Sequence, residues 1–250
     1  MDPGKYVMVY DSLCSVIIFL SILTAIVIWR NYKISHQKAS LMLFVFMIWL
    51  AIAYLEQAVV MTLTHQGTLI VGSKAHMMLS GICFTMGAGV AAAAATLFAI
   101  LTLKPRHMKF FCALPVAVAV VHCLIFGIFG EIILPAGEGL VEWFPSAPLK
   151  ISMIAVAIMA FVPAFLFFVY GMSVQTFRQK VSGLTLTIGL LMLAYFTFVS
   201  DNFSIAPTLL YRRICITAGI FVVYLGFATP RWYLKLIKRI ELGVKKELGG

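Results

Sequence analysis

The sequence predicts an all-α membrane protein, a seven-transmembrane helix bundle with its N-terminus outside and its C-terminus cytoplasmic. Three observations predict it. Hydrophobic residues make up 62% of the chain and charged residues only 11%, with a mean hydropathy of +1.04, far more apolar than a soluble core requires. Seven apolar runs reach the roughly 20 residues that cross ~30 Å of hydrocarbon as a helix. The links between them alternate between basic and acidic.

The first span runs from Tyr10 to Trp29; Asp2 and Asp11 precede its core and Arg30 and Lys33 follow it, an order that suits a retained helix and not a cleaved signal peptide. The second span is Ser40 to Leu63. The third, Ala75 to Leu103, carries Gly87, Ala91, Ala95 and Ala99 at every fourth position. That stripe of small residues lets a neighbour approach closely, so the third span is expected at the centre of the bundle. The fourth span, Phe110 to Gly130, places His122 roughly 18 Å from its start. This histidine is either an ordinary hydrogen-bonded one or a pH-sensitive group. The fifth, Ile151 to Val174, contains Pro163, which removes one backbone hydrogen bond. Leu184 to Ser200 and Thr208 to Thr229 complete the set. Residues 1–230 thus form the bundle, and 231–250 a basic amphipathic cytoplasmic tail helix.

Fourteen of the nineteen cations lie in the links after spans one, three and five and in the tail, the last six from Arg231 to Lys246. The opposite side holds Lys5, Lys74, Lys150, Arg212 and Arg213, together with Asp2, Asp11, Glu131, Glu138 and Glu142. The positive-inside rule makes the fourteen-cation side cytoplasmic, and an odd number of spans puts the N-terminus outside, in a multi-pass cell-membrane protein. The net charge of +10 therefore reports topology and not nucleic acid. Trp29, Trp143 and Trp232 sit at or beyond span ends as interface anchors. The link from Glu131 to Lys150 reads as the longest loop. Five cysteines without CxxC spacing read as buried thiols.

Ionisable groups at membrane depth are costly, and they carry the functional signal. Glu56 sits about 24 Å along the second span, with Gln57 beside it. At a similar level lie His76, Asp201, Asn202, Arg212 and Arg213. These seven residues are the candidate ligand-binding set, with an arginine expected to pair with Asp201 or Glu56. No span holds HxxxH, HExxH or DxxxD, or a nucleophile beside a base and an orienting carboxylate. No enzyme, cofactor or metal site is expected. The absence of lysine between Thr208 and Thr229 excludes covalent retinal, and the DRY and NPxxY signatures of G-protein-coupled receptors are missing.

Arg212, Gly219, Leu225, Gly226, Pro230, Arg231 and Trp232 together resemble the last helix of seven-helix N-terminal sensor modules in prokaryotic, especially archaeal, histidine kinases. The resemblance covers about thirty residues, from Arg212 onward. It implies a sensor that passes its signal through the final helix. No dimerisation histidine or ATP-binding domain precedes Gly250, so output is expected through a longer natural chain or a separate cytoplasmic signalling partner. The tail repeats Tyr233, Leu236, Ile237, Ile240, Val244 and Leu248 at helical spacing among lysines and arginines, which suits membrane lipid or a partner helix. The expected function is a membrane-embedded sensor with an outward-facing polar pocket for a small ligand or a proton. A transporter or channel using the small-residue face and Pro163 is the alternative.

Overall fold

The computed structural model describes residues 3–70, 73–104, 107–129, 131–135, 141–199 and 206–248. Helices α1 (Pro3–Ser35) and α2 (Lys38–His65) lead to α3 (Lys74–Ser80), a π-helical segment (Gly81–Met86) and α4 (Gly87–Leu103). Then come α5 (Met108–Phe129), a hairpin of β1 (Glu131–Pro135) and β2 (Val141–Pro145), and α6 (Ala147–Ser173). Helix α7 (Phe177–Ala194) ends in a second π-helical segment (Tyr195–Val199), followed by α8 (Ala206–Ala228) and α9 (Arg231–Leu248). Among the described residues, seven helices are long and apolar enough to cross a membrane. The strands pair antiparallel from Glu131 with Pro145 to Pro135 with Val141, where the sequence predicts only a loop.

The spanning helices form a ring in which α1 touches α2 and α8, α2 touches α4, and α6, α7 and α8 follow in turn. Helix α1 joins it through Tyr10, Cys14, Ile17, Ser21, Ala25 and Ile28, a buried stripe at three- and four-residue steps. Helix α4 is the most enclosed span, as the small-residue stripe predicts; Ala91, Ala95 and Ala99 are buried, and the helix contacts α2, α5 and α6. Helix α5 packs on α4 and α6 and is the least enclosed.

Lipid offers no water to satisfy free backbone groups, so each helix irregularity needs a side-chain partner. Pro163 lacks an N–H and frees the carbonyl of Met159, one turn earlier. The hydroxyl of Thr96 on α4 shares its one proton between that carbonyl and the Ala92 carbonyl of its own helix, each 2.9 Å away. Pro163 is thereby a built-in joint between α4 and α6. Replacing Thr96 by valine keeps the shape and strands the carbonyl; a loss of about 1 kcal/mol in detergent-solubilised thermal unfolding is expected.

The first π-helical segment is served the same way. Its Cys83 carbonyl accepts from Trp49 Nε1 at 3.1 Å, and its Thr85 carbonyl accepts from His122 Nε2 at 2.9 Å. The Cys123 thiol points at the Met86 carbonyl at 3.8 Å. A Cβ at Gly87 would collide with the Trp49 indole, and one at Gly89 would lie 2.8 Å from the His122 ring, so both glycines make room for these donors. Trp49 also stacks on Phe198 of the second π-helical segment, with ring centres 5.9 Å apart. One indole thus ties both irregular segments together. His122 Nδ1 lies 3.0 Å from Ser152 Oγ, so this histidine is a fully engaged link between α5, the π-helical segment and α6.

Candidate functional site

A buried polar cluster joins three helices at the end of the bundle where α1 begins. Arg213 enters it from the second turn of α8 and is 1% exposed. Its Nη2 donates to the Tyr10 hydroxyl of α1 at 2.5 Å and to Gln57 Oε1 of α2. Tyr10 in turn donates to Gln57 Oε1 at 3.1 Å, which closes a triangle across α1, α2 and α8. The guanidinium carbon lies over the rings of Tyr10 and Tyr54, 5.0 Å and 4.6 Å from their centres. Arg213 Nε and Nη1 are buried without hydrogen-bond acceptors among the described residues. The aromatic faces therefore stabilise a cation whose hydrogen-bonding capacity is only partly used.

Helix geometry brings these groups together. Tyr10 and Cys14 are one turn apart on the buried stripe of α1, and Tyr54 and Gln57 are three apart on α2, so each pair shares a face. Arg213 follows Arg212, which is also buried and is acted on by Arg213, Tyr54 and Tyr10. At the rim, Thr62 donates to Asp11 Oδ2 at 2.7 Å. That bond joins α1 and α2 beside the triangle and places a carboxylate one residue from Tyr10.

Of the seven residues predicted from sequence, the structure unites Gln57, Arg212 and Arg213. Glu56, next to Gln57 on α2, is buried and close enough to Cys83 of the first π-helical segment to act on it electrostatically. His76 stands on α3, with its side chain outside the described residues, and Asp201 and Asn202 also lie outside them. The described hydrogen bonds of Arg213 go to Tyr10 and Gln57. Tyr10, Tyr54, Asp11 and Thr62 were not foreseen. The only sequence signal for Tyr10 is its place at the head of the small and polar stripe through Cys14 and Ser21.

Helix α8 connects this cluster with the opposite end of the bundle. From Arg213 to Thr229 it covers about 24 Å at helical rise. Along that length it is seated on α7 by glycines: a Cβ at Gly189 would lie 2.7 Å from the Val223 nitrogen, and one at Gly226 2.9 Å from the Leu186 nitrogen. Such close backbone approach is how helices associate where lipid removes the hydrophobic drive. Comparison with family models, with curated proteins and with solved structures finds no match.

Proposed function

We propose that the protein is a membrane-embedded sensor of the cell membrane, with its N-terminus outside and its tail cytoplasmic. A small polar ligand or a proton reaches the Tyr10, Gln57 and Arg213 cluster and displaces α8, and the displacement reaches α9. The observation that carries this reading is the triangle of hydrogen bonds at the head of α8, the helix that leads into the basic tail. Two further features support it. Fourteen cations fall on the tail side of the predicted topology, and the last span resembles that of seven-helix kinase sensor modules. The mechanism is population shift: a ligand that engages Arg213 competes with Tyr10 and Gln57 and favours a second setting of α8.

Protons and small polar molecules are both probed, because either competes for the hydrogen bonds that hold Arg213. A bimane label at Gly243→Cys reports the surroundings of α9 in reconstituted vesicles. Acidification, or one member of a panel of amino acids, sugars and carboxylic acids, is expected to change its emission. Gln57→Leu and Arg213→Gln should abolish the change, whereas Ser152→Ala, in the α5–α6 contact, should preserve it. A label silent to every probe, or equally responsive in all variants, contradicts the sensor reading.

A further inference from the structure

Helix α9 divides its surface three ways. Tyr233 and Ile237 are buried at 9% and 2% exposure, and the Tyr233 hydroxyl shares a 2.6 Å hydrogen bond with Thr185 Oγ1 of α7. Trp232, Leu236 and Ile240 recur every fourth residue and are 54%, 46% and 48% exposed. Arg231, Lys235, Lys238 and Arg239 are exposed as well. At 100° per residue, the open apolar row borders the docked pair and the cations occupy the remaining side.

The direction of α9 follows from its anchor. The contacts of Gly219 with Leu193, Gly189 with Val223 and Gly226 with Leu186 step along α7 and α8 in one antiparallel register. A straight continuation of α8 would bring Tyr233 opposite Gln179. Its hydroxyl instead reaches Thr185, six residues deeper along α7. The chain turns at Thr229, whose φ of 40° is left-handed, and at Pro230, which cannot continue the ladder of α8. The second helix is therefore folded away from the axis of the first.

An apolar row beside a membrane-spanning bundle, with a tryptophan at its head and cations on the adjoining side, is complementary to a bilayer interface. Zwitterionic lipid satisfies the apolar row alone. Four exposed cations against one acid, Glu241, between Arg231 and Gly243 select a negatively charged surface. We infer that α9 lies in the membrane interface and binds anionic phospholipid headgroups, with Trp232, Leu236 and Ile240 at the acyl boundary and Tyr233 clamping it to α7. The inference is independent of the sensor reading, since it requires no stimulus.

Hydrogen–deuterium exchange of residues 231–248 tests it, with the full chain in nanodiscs of phosphatidylcholine alone or mixed with phosphatidylglycerol. Exchange should slow severalfold in the anionic discs, and raising the salt concentration should erase the difference. The combined substitution R231Q/K235Q/K238Q/R239Q should erase it at low salt. Equal exchange in both lipids would overturn the assignment. So would a difference between the two lipids that survives high salt, or protection that grows with the number of protein copies per disc, the latter identifying a second helix as the partner. The salt arm uses the unaltered chain, so misfolding of the fourfold variant cannot blur the result.

Discussion

Replacing Gly189 by valine is expected to cost about 3 kcal/mol or more and to separate α7 from α8. Insertion of extra atoms into a packed site commonly costs about 1–3 kcal/mol when side chains can yield. Here the obstacle is backbone: the new Cβ would stand 2.7 Å from the Val223 nitrogen and 3.1 Å from the Gly219 oxygen. Neither can move without shifting α8 as a body. Gly127 of α5 is the control, because a Cβ there meets nothing within 4 Å. Alanine at Gly127 should leave thermal unfolding unchanged or raise it slightly through helix propensity. Unfolding of the two variants at the same temperature would refute the tight α7–α8 seam.

Arg213→Gln is expected to cost about 1–2 kcal/mol and to release the head of α8. Hydrogen bonds from a charged donor contribute about 1.5–3 kcal/mol, and a desolvated cation–π contact about 2 kcal/mol. Against these stands relief from holding a charge at membrane depth, about 3 kcal/mol on insertion scales. The balance remains a loss, because Tyr10 and Tyr54 present their ring faces to the guanidinium and not to an amide. Lysine should not rescue the variant. An ammonium can replace the one nitrogen, Nη2, that serves both acceptors, but it has no planar delocalised group to lie against two ring faces.

The seven spans were legible because membrane thickness fixes their length and lipid fixes their composition. The central place of α4 was legible for a related reason, since four small residues at fourfold spacing admit neighbours on one side. The two π-helical segments were not. Gly81–Met86 has the composition of any apolar helix, and its register depends on donors from Trp49 and His122, whose rotation about their own helices the sequence does not state. The candidate site divides along the same line. Depth is readable by counting 1.5 Å per residue, so Gln57 and Arg213 were found at a common level. Rotation is not: Gln57 and Glu56 share that level but stand about 100° apart around α2, and the count of residues alone does not say which of them meets Tyr10 and Arg213. Tyr10 and Tyr54 escaped notice because tyrosine is ordinary in an apolar run, and only the arrival of Arg213 from α8 gives them a polar role. The pairing of Glu131–Pro135 with Val141–Pro145 is hidden by the prolines and glycines of that stretch, which read as loop.

A sensor of this kind requires the cluster at the head of α8 to set the position of α9. Spin labels at Gln179→Cys on α7 and Gly243→Cys on α9, with Cys83, Cys112 and Cys123 replaced by alanine, measure it by pulsed electron resonance. Coupling predicts one dominant distance in the parent chain and a broadened or displaced distribution in Arg213→Gln. Superimposable distributions from two folded proteins would contradict the coupling and leave the cluster a local clamp.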